Sequence, residues 1–285
     1  MTQELLLDRL SPAHGTLGTR NDLCVRLARS RQEIITAQEL RFSVFYEELR
    51  ANPDLASAQS RRDADRFDEF CDHLIVVHRT PKNGSGEFAI DDGEMVGTYR
   101  LLSQSVAEQN GGFYTQSEFN IAPLLAAKPD LKFLELGRSC VLKQYRTKPV
   151  VELLWQGIWN YVRQYGLDVM LGCASLEGID QKVHASILNF LARNCAAPPE
   201  WRVCALPERY IEMKTNDESA TDSKAALKAL PPLIKGYLRL GCYIGEGAVI
   251  DRQFNTTDVL IILPVSQINP RYFTHFGQPD EAVTY

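Results

Sequence analysis

The sequence lacks any paired-cysteine signature. Its seven cysteines include no CxxC, and an odd number leaves one over from any full pairing. That excludes a zinc site of ordinary spacing and gives no disulfide framework. Cys24, Cys140 and Cys173 sit in apolar runs and read as small core residues, so a reducing cytoplasmic compartment is expected. No apolar run approaches the ~20 residues of a bilayer span. The start, MTQELLLDRL, has no basic region and no cleavage site, so no signal peptide is expected. Basic excess is missing too: 31 Lys and Arg stand against 36 Asp and Glu, a formal net charge of −5, which argues against nucleic acid as a partner. There is no internal repeat and no serine–histidine–acid set. What remains is 285 residues of ordinary composition, enough for one large domain or a domain with an appendage.

The most informative stretch is LKFLELGRSCVLKQYRTKPVVELLWQGIWNYVRQY, Leu131 to Tyr165. Phe133–Leu142 is apolar on both alternating faces, as in a central strand covered on both sides. It nevertheless carries Glu135 and Arg138, and such groups are buried only with partners or a task. In a regular strand the two point to opposite faces, so a bulge or splay near Gly137 is expected if they share a cleft. Pro149 suits the opening of a helix and Gly166 its end. Val151, Leu154, Trp155, Ile158, Val162 and Tyr165 form a stripe of 3.6-residue period. Lys143, Arg146 and Lys148 lie between strand and helix with no acid among them. The turn is either simply solvated or an anion site at a helix N-terminus.

Elsewhere the pattern reads as follows. Asp22–Ala28 alternates as a strand. Ser30 and Glu33 form a capping box opening a helix to about Arg50. Its stripe (Ile34, Ala37, Leu40, Val44, Phe45, Leu49) contains Arg41, either snorkelling or buried on an anion. Asp63, Asp65 and Asp68 are either a solvated acidic loop or carboxylates facing a cation. His73–Val77 and Met95–Leu102 read as a hairpin around PKNGSG, with Arg100 near its end. The long connection 103–130 contains GGFYTQSEFN, a candidate functional loop. Asp168–Ser175 is a second buried strand, parallel to the first if the helix crosses over. Residues 178–194 form a helix with Ile179, Val183, Ile187, Phe190 and Leu191 on one side and His184 at its edge. WRVCAL and DVLIILPV are strand-like. LPPLIKGYLRLG is a short amphipathic helix, either packed on its own domain or a peripheral membrane contact, and NPRYFTHF ends the chain in a turn. The expected division is a lead-in (1–20), a main domain (21–206), an exposed connection (207–229) and a C-terminal helix–strand extension packed on the same domain (230–285).

This order resembles the GCN5-related N-acyltransferase fold: α+β, with a mixed, mostly antiparallel sheet flanked by helices. The motifs LELGRSCV, ELLWQG, GCASLEG and PPLIKGYLRLG are similar, across nearly the whole chain, to the bacterial ornithine N-alpha-acyltransferases, which make lyso-ornithine lipid. Arg41 with Phe45, the Asp65/Asp68 pair, Arg100, and Glu135 with Arg138 are more distantly similar to acyl-homoserine lactone synthases. The coenzyme A enzymes of this fold carry a glycine-rich turn for the pyrophosphate. Here Pro149 and Val151 stand where glycines are expected, removing a donor and crowding the approach.

The resemblance implies an enzyme that moves a (3-hydroxy)fatty acyl group from acyl carrier protein to the alpha-amine of ornithine. The donor would be the carrier's acyl-phosphopantetheine, used as co-substrate, with no cofactor and no metal. Glu135 is then the candidate base, assisted by Arg138; the alternative for Glu135 is a salt bridge to Arg138 or Arg100. Arg41, Asp65, Asp68, Arg100 and Ser139 are candidate acceptor-binding residues. In that division the acids take an ammonium and an arginine takes the carboxylate. Cys140, Val141, Lys143, Arg146 and Lys148 are candidate donor-binding residues, with backbone N–H groups near Cys140 and Val141 for the oxyanion. A lactone-type signal synthase, or another acceptor amino acid (lysine, glycine, glutamine), is the alternative.

Overall fold

The computed structural model describes residues 15–81, 88–215, 222–269 and 272; most of PKNGSG and of NPRYFTHF lies outside them. The chain forms two compact units. The first includes the chain to Val106 and Leu136–Gly166; the second comprises Ala107–Glu135 and Leu167–Gly277. These units do not follow the boundaries expected at 206 and 229.

In the first unit β1 (Gly18–Arg20), β2 (Leu23–Leu27), β3 (Asp72–Pro81) and β4 (Phe88–Ser103) pair antiparallel in sequence order. β2 is buried along its whole length. Ser30 caps α1 (Arg31–Phe42), its hydroxyl accepting from Glu33 N at 3.2 Å. The Glu33 carboxylate turns instead to the Arg26 guanidinium and to Arg29 N. The helix continues as a wider π-type turn, Ser43–Glu48. Leu49, expected in the apolar stripe, lies just past it and is exposed.

α2 (Lys148–Tyr165) ends at Gly166 in the left-handed conformation, φ 58°. The expected stripe holds in part, at Leu154, Ile158 and Val162, and the helix is buried on more than one side, with Trp159 also enclosed. Val151 and Tyr165 are exposed, whereas Val150, Leu153, Leu154, Ile158, Tyr161 and Val162 are buried. Gly157 explains the phase: a Cβ there would stand 2.6 Å from Val25 Cγ2 and 3.1 Å from Leu74 Cδ1. The helix axis approaches β2 and β3 through this missing side chain, and counting only large apolar residues overlooks it.

In the second unit the first part of β5 (Phe133–Val141) pairs in parallel with β6 (Val169–Glu177), from Phe133↔Val169 to Glu135↔Leu171. β7 (Tyr243–Ile244), β8 (Val249–Asp251) and β6 all pair antiparallel with β9 (Thr256–Pro264). In α3 (Gln181–Asn194) Ile187 and Leu191 are buried, but Val183 is 70% exposed and Ile179 is exposed too, against expectation. His184 is buried and satisfied by Gly178 O at 3.1 Å. WRVCAL makes isolated bridges (Cys204–Glu246, Ala205–Phe119) rather than a strand. Within the expected exposed connection, Ile211 pairs with Ala248 and Met213 is buried. In α4 (Pro232–Leu240) Ile234 and Tyr237 are buried, so this amphipathic helix docks on its own unit. Among the described residues no helix is long and apolar enough to cross a membrane.

Gly157→Ala should destabilise the protein by about 1–3 kcal/mol, the usual cost of overpacking. Val25→Ala introduced with it should restore part of the loss. Urea unfolding of the two variants checks this; a neutral Gly157→Ala would refute the close approach.

Candidate active site

The first unit holds a buried network of arginines and aspartates. Arg41, 1% exposed, donates through Nε to Asp63 Oδ2 and through Nη2 to Asp68 Oδ2, both at 2.8 Å, and to the Asp63 carbonyl. Arg100 Nη1 meets Asp65 Oδ1 at 2.6 Å and Asp68 Oδ1 at 3.3 Å. Arg138 pairs with Asp63 and Asp65, each at 3.2 Å. Local structure fixes the acids: Asp65 caps a 3-10 turn, accepting from Phe67 N, while Asp68 accepts from Asp65 N. The four acceptor-binding candidates Arg41, Asp65, Asp68 and Arg100 thus meet one another, and Asp63, the third member of the acidic run, completes the set. The nearby arginines hold the Asp68 carboxyl well below the ordinary carboxylate range against the opposing effect of burial. Burial, reinforced by Arg41 and Arg100, pushes His73 down to about 4 despite Asp68.

The irregularity expected near Gly137 occurs one residue on. Arg138 has φ 50°, a left-handed conformation that few non-glycine residues adopt. Ser139, beside it, is half-buried. Glu135 belongs to the second unit, and both its oxygens are taken by a loop: Thr115 N donates to Oε1 at 2.7 Å and Tyr114 N to Oε2 at 3.0 Å. That loop is GGFYTQSEFN, a 3-10 turn over Tyr114–Ser117. A carboxylate held by two backbone amides has a fixed orientation.

At the donor-binding candidates, Cys140 and Val141 are buried, and burial raises the Cys140 thiol far above its ordinary value. It is a core residue, not a nucleophile. Arg146 forms a two-pronged pair with Glu48 at 2.6 and 2.7 Å and donates to Val141 O. Lys148 lies 3.4 Å from Glu152, with its side chain largely exposed. No side chain caps the N-terminus of α2.

A second group of acids, which the sequence did not reveal, lies in the second unit. Carboxylate oxygens of Glu118, Asp251 and Asp258 all fall within 4.8 Å of one another, and all three residues are buried. Glu118 and Asp251 line a cleft of about 830 Å³ with Tyr114, Arg209, Tyr210 and Arg252. Burial, then the Asp258 charge, pushes Glu118 up to about 7. Glu118 sits in the loop already flagged; the two aspartates come from β8 and β9, and no spacing links them.

The sheet flanked by helices is that of an acyltransferase of the GNAT class. The acetyltransferase (GNAT) domain family matches residues 40–156. An L-ornithine N(alpha)-acyltransferase of Agrobacterium fabrum is 48% identical over 269 residues, 94% of this chain and 90% of that one. Its counterpart in Brucella abortus is 49% identical over 261 residues, 92% of this chain and 91% of the other. The chain belongs to the family of L-ornithine N(alpha)-acyltransferases. Among solved structures, FeeM, an N-acyl amino acid synthase from uncultured soil microbes, is 11% identical, with a TM-score of 0.47 over 89% of this chain and 100% of that one.

Two outcomes test the network. Arg41→Met strands the carboxylates of Asp63 and Asp68 in the interior and should cost about 3–5 kcal/mol, as removal of one member of a buried pair does; the urea midpoint reads it. For His73 the folded value of about 4 lies below the ordinary 6.5. Between those pH values the unfolded chain binds a proton that the native one refuses, so native stability is lost as pH falls through that window. The stability difference between wild type and His73→Gln should therefore grow from pH 4 to pH 6.5 and then level off; a flat difference would refute it.

Proposed function

We propose that this chain transfers a fatty acyl group from the phosphopantetheine thioester of acyl carrier protein to the alpha-amine of ornithine. The product is an N-acyl ornithine, a lyso-ornithine lipid. The observation that carries the reading is the 48% identity, over 94% of the chain, to a protein named L-ornithine N(alpha)-acyltransferase. Transfer is direct. The neutral amine attacks the thioester carbonyl, the new C–N bond forms, and the C–S bond breaks. The proton lost by the amine goes to Glu135, directly or through a water, and the thiolate leaves to be protonated as thiol. Backbone N–H groups near Cys140 and Val141 take the oxyanion.

Lys143, Arg146 and Lys148, beside the uncapped N-terminus of α2, suit the single phosphodiester of a pantetheine arm and an acidic carrier surface. Arg41, Arg100 and Arg138 have carboxylates of their own chain as partners. That pairing favours a structural part for Asp65 and Asp68 over contact with an acceptor ammonium. The product's acyl chain, worth ~0.8 kcal/mol per methylene buried from water, requires delivery to a bilayer, by peripheral contact. The burial of Ile234 and Tyr237 favours a surface other than α4 for that contact.

Expression in a host without aminolipids, followed by mass spectrometry of its lipids, should reveal an N-acyl ornithine. Glu135→Gln should lower turnover with acyl carrier protein by about 10²–10⁴-fold, the range for loss of a general base, with the thermal midpoint reported alongside. Acylation of a different amine, or of none, would overturn the reading. A Glu135→Gln enzyme that folds and keeps full turnover would remove Glu135 from the chemistry.

A further inference from the structure

The loop that holds Glu135 is itself held by a side chain from within it. Glu135 is 5% exposed, with Thr115 N and Tyr114 N on its two oxygens at 2.7 and 3.0 Å. Those two amides meet one carboxylate only while the backbone of residues 113–115 keeps its course. On its far side the loop is well secured. Phe119 is fully buried and bridges to Ala205, its N–H donates to Thr115 O at 2.8 Å, and Arg209 donates to Ser117 O at 2.9 Å. The near side begins at Gly111 and Gly112, with φ 84° and 96°, a region open to glycine and strained for other residues. Here Gln116 folds back. Its side-chain Oε1 accepts from Phe113 N at 2.7 Å, while its own N–H donates to Phe113 O at 3.3 Å. This reciprocal pair closes the turn around Tyr114 and Thr115, as a capping box does. Gly112 leaves room for it, since a Cβ there would collide with Gln116 Oε1. Gln116 is exposed, and its side chain fills no place in the core.

We propose that Gln116 is a positioning residue for acyl transfer: by closing this turn it aims the Tyr114 and Thr115 amides at Glu135 and so fixes where the base stands. The inference rests on the reading of Glu135 as the group that takes the amine proton. A base must lie within hydrogen-bond reach of the proton it removes, and a displacement of ~1 Å is enough to cost about 100-fold in rate. Gln116 acts through the backbone, so its loss falls on kcat and spares KM. Gly112 belongs to the same device, because any side chain there displaces the Gln116 oxygen.

Gln116→Met keeps the length of the side chain and removes the acceptor. It should lower kcat about 10–100-fold and leave KM for ornithine and for acyl carrier protein unchanged. Gln116→Glu, which keeps an oxygen for Phe113 N, should restore most of kcat. Gly112→Ala reaches the same bond from the other side and should also lower kcat, which keeps the test open if Gln116→Met fails to fold. Thermal midpoints are read for all three. The deciding measurement is the double variant. On a Glu135→Gln background Gln116→Met should cost nothing further, because residues that act through one group are not additive. A Gln116→Met enzyme with wild-type kcat, alongside a Glu135→Gln enzyme that has lost turnover, overturns the positioning role and leaves Glu135 as the base. A loss that persists undiminished on the Glu135→Gln background also overturns it, since the loop then acts on some other group. If Glu135→Gln itself keeps full turnover, the reading of Glu135 as base falls, and this inference with it.

Discussion

Charge compensation in the interior is the constraint on which this structure turns. Burying an ion costs several kcal/mol unless partners replace its water. Wherever the chain encloses a charge, it must therefore bring distant segments together. Arg41 comes from a helix, Arg100 from β4, Arg138 from β5, and their aspartates from a short irregular run between a helix and β3. An acidic run that would otherwise be solvent-facing is pulled inward. Its backbone is shaped to suit, with Asp65 as cap and Asp68 accepting its amide. Such a network gives weak net stability, because the Coulomb gain is largely consumed by desolvation. Its larger effect is to make alternative packings expensive, since any slip leaves an ion bare.

The same constraint acts on Glu135 by a different route. Here backbone amides of a loop are among the partners. Two amides fix the orientation of the carboxylate and favour its charged form, as a counter-ion would.

Much of this was legible in the sequence, and the gaps have physical reasons. The strand–turn–helix at 131–165, the Ser30 cap, the Gly166 stop and the β3–β4 hairpin are local, written in turn chemistry and period. Arg41 was flagged because it falls in an apolar stripe, and it is buried. Helix phase was less secure. Val151 in α2 and Val183 in α3 follow the apolar period yet face solvent, because the contact face is decided by where a helix can approach its sheet. In α2 that place is Gly157, a residue with no apolar signal. Least legible was the Glu118, Asp251 and Asp258 cluster, since its members are brought together by the β8–β9 ladder and by a loop from far earlier in the chain. No motif spans such a separation.

A diamino acid poses a selectivity problem that charge alone can solve. Ornithine has two amines, and the side-chain amine is the more basic and the less hindered. An enzyme that merely excluded water from both would acylate the wrong one as readily as the right one. A nucleophilic amine must be neutral, and an ammonium in contact with carboxylates is held in its protonated form, because nearby negative charge raises its pKa. Carboxylates gathered around the side-chain nitrogen would therefore silence it chemically while anchoring it. The alpha-nitrogen, free of that cluster and served by a base, would be the one able to lose its proton. On this account position-specific acylation needs no steric exclusion of the side chain. It follows from an uneven distribution of negative charge around the two nitrogens.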